Sequence, residues 1–153
     1  MGWLFMSSTI NPKEIQQLLT KYRNVPFVHN GRSIEKGLDC LGFVILFYRE
    51  FGIELPNDDG KFIEKDWYKR DPNRFIRAIE SLNYPKVSPY ELQPLDMVYF
   101  AISRNIITHT GVMINEYEFA HMSPKKGFRI DRFTLPWRRR FRGAIRLINK
   151  NSP

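Results

Sequence analysis

The first half of the chain has the hydrophobic spacing of helices. Asn11 and Pro12 are typical of a helix N-cap and first helical position, and apolar residues then recur every three or four positions until about Arg23. A second apolar run at 41–51 covers most of a helix circumference, which is typical of a buried central helix. Residues 61–83 predict one or two surface helices.

The second half of the chain changes to short segments rich in β-branched and aromatic residues, as strands are. Strands are predicted at 96–101, 108–115, 118–122, 128–133 and 144–148. Helices followed by strands indicate an α+β fold, with N-terminal helices packed on a C-terminal antiparallel sheet. No repeat or Gly/Ser-rich linker divides the chain, so we predict a single domain, 1–153, with its core at about 12–148.

The positive charge is concentrated near one end of the chain. The 153 residues carry a net charge of +8, but residues 124–153 hold ten basic residues and one acidic residue, which leaves −1 on the remainder. A nucleic-acid-binding face should spread its charge more widely, so we do not expect a nucleic-acid partner. The basic run is a candidate for docking on an anionic surface, the alternative being a solvated edge strand or loop. The arginines concerned are Arg138, Arg139, Arg140 and Arg142.

Cys40 is the chain's only cysteine, which excludes an internal disulfide and a cysteine-clustered zinc site. Asp39 precedes it and the apolar helical run follows at once, so we expect its sulfur at the N-terminus of a buried helix. Unpaired backbone N–H groups and the helix dipole at that position favour a thiolate and predict a lowered pKa. The alternative is a small buried hydrophobic residue without chemical function.

The chain has three histidines, of which two lie on consecutive predicted strands. A tight turn between those strands would set His109 and His121 side by side on one face of the sheet. His109 could then accept the thiol proton of Cys40 while His121 orients it. The alternatives are two half-exposed strand histidines or part of a metal site; since no third ligand has metal-like spacing, we expect no metal. His29 lies in a predicted loop and is expected to be solvated or to face a substrate.

Four segments form an ordered set of motifs between about residues 15 and 148. They read GLDCLGFV at 37–44, PLDMVYF at 94–100, HTGVM at 109–113 with FAHMS at 119–123, and WRRRF at 137–141. In this order the motifs resemble those of the NlpC-type cysteine peptidases, the papain-like endopeptidases of bacterial cell walls. The resemblance implies a papain-like NlpC-type fold with the catalytic cysteine at the N-terminus of the central helix, and it implies no cofactor.

The resemblance also implies an activity. Cys40 would be the nucleophile, His109 the general base and His121 the third, orienting member of a triad that hydrolyses a peptide amide. The expected substrate is a peptide or peptidoglycan fragment, cut between D-γ-glutamate and a diamino acid. The alternatives are a hydrolase or acyltransferase of the same fold that acts on another amide or acyl substrate, and a catalytically diverged binding module with a basic docking tail.

The chain departs from the family pattern around the expected substrate pocket. Leu41 stands where the family usually has serine, Phe27 where it has tyrosine, and Leu95 where it has glycine. The pocket residues implied are Asp39, Phe27, His29 and Leu41, so two polar contacts would become apolar while the catalytic residues are retained.

The expected location follows from what the sequence lacks. No apolar run approaches the ~18 residues that span a bilayer, and residues 1–8 lack the basic and apolar regions of a signal peptide. We therefore expect no membrane association and a cytoplasmic location, with delivery by a phage or a secretion system as the alternative.

Overall fold

A computed structural model describes residues 11–56 and 63–148 of the chain. The helices are α1 (Pro12–Leu19), α2 (Cys40–Arg49), α3 (Trp67–Arg70), α4 (Arg74–Ser81) and α5 (Leu135–Arg140), with a 3-10 turn at Thr20–Tyr22. The strands are β1 (Arg32–Ser33), β2 (Gly37–Leu38), β3 (Asp96–Ser103), β4 (Ile106–Met113), β5 (Glu118–Ser123), β6 (Gly127–Arg132) and β7 (Phe141–Arg146). The signal-peptide prediction for residues 1–8 and the first two residues of the predicted 61–83 helical region lie outside the described residues.

The strands confirm the predicted α+β class. β3 to β7 form a five-stranded antiparallel sheet in the order β6-β5-β4-β3-β7, and β1 and β2 form a separate two-stranded ribbon. The predicted strands all appear, although the last one begins at Phe141 rather than at 144, because α5 runs directly into it.

The basic run is divided between two elements. Arg138, Arg139 and Arg140 end α5, and Arg142 lies in β7, which is an edge strand of the sheet. Arg138 lies over the Phe133 ring, 5.4 Å from its centroid, and Arg140 lies over Trp137 at 5.7 Å. Arg138 and Arg140 therefore cover aromatic rings with part of their surface, and the role of the four arginines in docking on an anionic partner stays a prediction.

The sheet separates two hydrophobic clusters. On one face, α1 and α2 pack against Met97, Tyr99, Val112, Ala120 and neighbouring side chains of the main core. The opposite face carries a smaller aromatic cluster, in which Trp137 and Phe141 pack against buried side chains that include Val98, Phe100, Met113, Phe119 and Phe133. Because successive side chains of a strand point to opposite faces, the sheet contributes side chains to both hydrophobic clusters. No helix within the described ranges is long and apolar enough to cross a lipid bilayer.

The start of β3 is held by a buried ion pair. The Asp96 carboxylate is fully buried and accepts hydrogen bonds from Arg146 Nε and Nη2, both at 2.9 Å, and from the Gln93 N–H at 2.8 Å. Leu95, just before it, has φ of 74°, in the left-handed region where glycine is the least strained residue. Its side chain is 3% exposed in the main core, and its carbonyl accepts a hydrogen bond from the Tyr48 hydroxyl. This conformation gives a physical reason for the glycine that the family has at this position.

The buried ion pair should dominate the electrostatic contribution to stability. We expect Asp96→Asn to lower the free energy of unfolding by about 3 kcal/mol, because it leaves Arg146 partly buried without its counter-charge. The matched control is Asp71→Asn, which breaks the exposed pair between Asp71 and Arg77 and should have little effect. Urea denaturation of both variants measures the difference; equal losses would contradict the role given to Asp96.

Candidate active site

Cys40 is the first residue of α2, and Asp39 holds the start of that helix in place. Asp39 Oδ1 accepts hydrogen bonds from the Gly42 N–H at 2.8 Å and from Arg32 Nη1 at 2.7 Å, and its Oδ2 accepts from the Asn30 N–H at 3.0 Å. One carboxylate thus caps α2 and ties it to the 30–32 loop. The backbone N–H of Cys40 has no acceptor within α2, since the first N–H groups of a helix have no partner inside the helix.

A glycine permits this close approach. A Cβ atom at Gly42 would lie 2.1 Å from the Gly31 carbonyl oxygen and 3.2 Å from Asp39 Oδ1. The first turn of α2 can therefore lie against the 30–32 loop only with glycine at this position.

The Cys40 thiol is buried against the backbone of β4. Its Sγ donates to the Thr108 carbonyl at 3.7 Å, and Cys40 is 9% exposed. Burial raises the pKa of the Cys40 thiol to about 12, and the negative charge of Asp39 acts in the same direction. The N–H groups of Thr110 and Leu41 oppose the rise without offsetting it. The prediction that the helix N-terminus lowers this pKa is therefore wrong in direction, and the resting group is a neutral thiol.

The two strand histidines are brought together as predicted. His109 Nε2 and His121 Nδ1 lie 2.7 Å apart. A Cβ atom at Gly111 would lie 2.7 Å from the Ala120 carbonyl oxygen and 3.1 Å from His121 Cβ. The absence of a side chain at Gly111 thus lets β4 and β5 approach closely enough for the two imidazoles to form a hydrogen bond.

An aspartate extends this pair into a three-residue chain. His121 Nε2 lies 2.7 Å from Asp131 Oδ2 on β6. Because the carboxylate only accepts, His121 Nε2 carries its proton, and neutral His121 then accepts at Nδ1. His109 Nε2 must therefore donate to His121, so neutral His109 keeps its lone pair on Nδ1. The chain of hydrogen bonds selects the tautomer of His109 that can accept a proton at Nδ1.

Burial keeps both imidazoles neutral. Burial lowers the pKa of His109 from 6.5 to about 3, and the neighbouring His121 lowers it further. The pKa of His121 is lowered by burial as well, against the opposing effect of Asp131. Trp137 covers the pair, since its ring stacks on His109 with centroids 5.8 Å apart and meets His121 edge-on at 5.0 Å.

The Cys40 thiol lies against the β4 backbone next to His109, but the structure gives no hydrogen bond between the two side chains. The thiol contacts β4 at Thr108 and Thr110, on either side of His109. The His109 ring contacts Phe100, His121 and Trp137 in the aromatic cluster. Among the described residues, no hydrogen bond joins the thiol to an imidazole. Hydrogen bonds between catalytic groups often form only when substrate binds, so this arrangement is compatible with a catalytic pair.

A cavity of about 470 Å³ lies beside Cys40. All four residues expected around the substrate pocket, Asp39, Phe27, His29 and Leu41, line it. His29 is not solvated in the way its loop position suggested, because its Nε2 donates to the Ile63 carbonyl, as does Asn30 Nδ2 at 2.8 Å. The opposite wall comes from α4 and from residues just before it, which the sequence patterns did not connect with the site.

Asp131 is the member of this hydrogen-bonded chain that the sequence patterns do not connect with the histidines. In the sequence it stands out only as the one acidic residue of the basic C-terminal region. The available signal is its place on the strand after His121: Arg129 pairs directly with His121, and Asp131 is two residues further along the same face. Over the described ranges, no group of three or more His, Cys, Asp or Glu side chains is arranged to hold a metal ion.

The buried histidines make stability depend on acidity. The unfolded chain protonates His109 near its ordinary pKa of 6.5, whereas the folded protein does so only near 3. Stability is therefore complete above about pH 6.5 and is lost as the pH falls towards 3, by about 1.4 kcal/mol per pH unit for one proton. We expect urea unfolding of His109→Gln to show a shallower decline between pH 6.5 and 4 than the wild type. Parallel declines would show that His109 is not buried in its neutral form.

The sequence comparisons identify a family and several relatives. A model of the NlpC/P60 family matches residues 24–146. The chain is 27% identical over 139 residues to tail tip assembly protein K of Escherichia phage lambda, covering 90% of this chain and 63% of that protein. It is 29% identical over 123 residues to murein DD-endopeptidase MepS/murein LD-carboxypeptidase of Escherichia coli K12. This match covers 79% of this chain and 55% of that protein. It is 27% identical over 142 residues to gamma-DL-glutamyl hydrolase of Bacillus subtilis. This match covers 91% of this chain and 30% of that protein. The chain thus spans less than two thirds of the length of these relatives.

Solved structures show the same fold. An NlpC/P60 family protein from Bacillus cereus matches with a TM-score of 0.67 at 21% identity, over 94% of this chain and 42% of that one. The NlpC/p60 domain of peptidoglycan hydrolase SagA matches with a TM-score of 0.62 at 18% identity, over 90% of this chain and 100% of that one. The resemblance stated from the motifs is confirmed, and the chain belongs to the NlpC/P60 family.

Proposed function

We propose that this protein is a cysteine-dependent hydrolase of peptide amides, in which Cys40 is the nucleophile, His109 the general base and His121 the residue that orients it. The observation that carries the proposal is the hydrogen-bonded chain from Asp131 through His121 to His109. This chain leaves Nδ1 of His109 as a proton acceptor. His109 lies on β4, and the backbone of β4 contacts the Cys40 sulfur.

The reaction begins from two neutral groups. The thiol leaves the Thr108 carbonyl and transfers its proton to His109 Nδ1 while Sγ forms a bond to the carbonyl carbon of the substrate. The backbone N–H of Cys40, which has no acceptor within α2, donates to the oxyanion that develops. The C–N bond then breaks, and the amine leaves with the proton from His109, which produces a thioester on Cys40. Water gives a proton to His109, attacks the thioester and releases the acid, and the proton returns to the sulfur.

The hydrogen-bonded chain supports proton transfer in a buried site. Protonated His109 would be costly where burial holds its pKa near 3. His121 can accept the hydrogen bond from the protonated ring while the negative charge of Asp131 stabilises the pair. Asp131 thus acts through His121 as a positioning residue.

The proposed substrates are peptides of the peptidoglycan type. Relatives are named as a murein endopeptidase and as a gamma-DL-glutamyl hydrolase, which supports this class. The amide between D-γ-glutamate and a diamino acid is the first bond to test, with other amide and acyl substrates as the alternative. We keep a cytoplasmic location as a proposal; the likeness to a phage tail tip assembly protein supports the alternative, delivery with a phage particle.

Loss of the nucleophile or of the base should abolish turnover. We expect Cys40→Ala and His109→Ala to lower kcat by at least about a thousand-fold while circular dichroism shows the fold intact. The assay compares a peptidoglycan-fragment panel with acyl amides and ubiquitin-like amides. Tyr117→Ala, at an exposed position in the turn between β4 and β5, is the control and should retain full activity. Turnover by Cys40→Ala equal to that of the wild type would refute the proposed function.

Removal of the Asp131 charge should change the pH dependence of the reaction. Asp131→Asn keeps an acceptor for His121 but removes the charge that stabilises protonated imidazole, so the acidic limb of the kcat profile should move to lower pH. We expect kcat to fall by about a hundred-fold with KM unchanged. Glu116→Gln removes one negative charge from the exposed β4–β5 turn and serves as the control. An unshifted profile in Asp131→Asn would assign Asp131 a purely structural role.

A further inference from the structure

The acyl part of any substrate has to enter the cavity beside Cys40. Cys40 is only 9% exposed, and it forms part of the cavity wall. A carbonyl carbon therefore approaches Sγ from the cavity. Because the acyl group stays on the sulfur as a thioester after the amine has left, the groups attached to that carbonyl lie against the cavity wall through most of the reaction.

More of the residues that line the cavity are apolar than polar. Phe27 and Leu41 line it together with Cys40, and Trp67, Phe75, Ile79 and Leu82 contribute further apolar surface. A volume of about 470 Å³ lies in the range of small-molecule sites. Phe27 and Leu41 are also the positions at which the chain carries an apolar residue where the family motif has a hydroxyl group.

The charged residues of the wall already have partners within the chain. Arg32 is paired with Asp39 at 2.7 Å, and Asp39 uses both its oxygens on Arg32 and on backbone N–H groups. Arg77 forms two hydrogen bonds to Asp71, at 2.5 and 3.2 Å. The charge of Arg74, which also lines the cavity, acts on the same Asp71 carboxylate.

These pairings decide which substrate group fits. A charged acyl group would lose water in the cavity, where the partly buried Arg32 is already held by Asp39, and it would have to compete with Asp71 for the exposed Arg77. An apolar group would lose unfavourable contact with water and gain contact with the aromatic and aliphatic wall.

We propose that the cavity binds an apolar acyl group, aliphatic or aromatic, and that this protein prefers amides with such a group at the scissile carbonyl over γ-glutamyl amides. The proposal rests on the proposed function for turnover, but its binding part does not. Between the two substrate classes of the proposed function, it favours the other amide and acyl substrates over the D-γ-glutamyl amide.

A series of chromogenic amides tests the preference. The probes are the acetyl, butanoyl, hexanoyl and γ-glutamyl amides of 4-nitroaniline, all with the same leaving amine. We expect kcat/KM to rise by about four-fold for each methylene that becomes buried, and to be lowest for the γ-glutamyl amide among acyl groups of similar length. A flat series, or a γ-glutamyl amide that is cleaved fastest, would overturn the proposal.

Two cavity variants and one control assign the effect to the cavity. Leu41→Ser should reduce the hexanoyl-to-acetyl ratio of kcat/KM by several-fold, and Phe27→Tyr, which preserves the ring, should reduce it in the same direction if Leu41→Ser fails to fold. Leu135→Ser removes an apolar residue that is 57% exposed on α5, outside the cavity, and should leave the ratio unchanged. An unchanged ratio in a folded cavity variant would overturn the proposal.

Binding to Cys40→Ala separates this inference from the proposed function. The same amides should bind to this variant in the order hexanoyl, butanoyl, acetyl, with quenching of tryptophan fluorescence that Trp67→Phe reduces. Ordered binding without turnover by the wild type would sustain the cavity proposal and refute the hydrolase. Turnover without chain-length dependence in either assay would sustain the hydrolase and refute the cavity proposal.

Discussion

The Asp39 carboxylate is the interaction on which the site depends. It caps α2, binds the 30–32 loop through the Asn30 N–H and neutralises Arg32. These three contacts hold the start of α2, where Cys40 is the first residue, against the 30–32 loop. The close approach also requires the missing side chain of Gly42. A carboxylate in this position would otherwise be free to bind substrate, but its oxygens are already used to build the wall of the cavity.

Burial outweighs the helix dipole at this site. A helix N-terminus favours a thiolate, yet the thiol of Cys40 is removed from water and faces the negative charge of Asp39, so its pKa rises. The same loss of water lowers the pKa of His109. Both shifts favour the neutral forms, so Cys40 and His109 form no thiolate–imidazolium pair at rest. In the proposed reaction the charges separate only during turnover, where the hydrogen-bonded chain to Asp131 stabilises them.

The sequence predicts those features that depend on local pattern. Apolar spacing predicts α1 and α2, and β-branched or aromatic segments predict the five strands of the main sheet but not the short ribbon of β1 and β2. The short turn between two strands predicts that His109 and His121 are neighbours. Features that depend on how distant segments meet are not predicted. Asp131 becomes a partner of His121 only through the β5–β6 register, and the direction of the Cys40 pKa shift follows from burial that tertiary packing creates. The cavity wall from α4 is missed for the same reason, since its short helix has the pattern of an ordinary surface helix.

The proposed catalytic chain and the cavity are built from different parts of the fold. His109, His121 and Asp131 lie on adjacent strands and are covered by Trp137 in the aromatic cluster. The cavity wall comes instead from the loop before α2, the first turn of α2 and the α3–α4 region. Cys40 and the backbone of β4 are where the two parts meet. A leucine instead of a serine at position 41 therefore changes the cavity wall without disturbing the hydrogen bonds between the histidines and Asp131. This separation explains how the chain retains the complete set of histidines while its pocket departs from the family pattern.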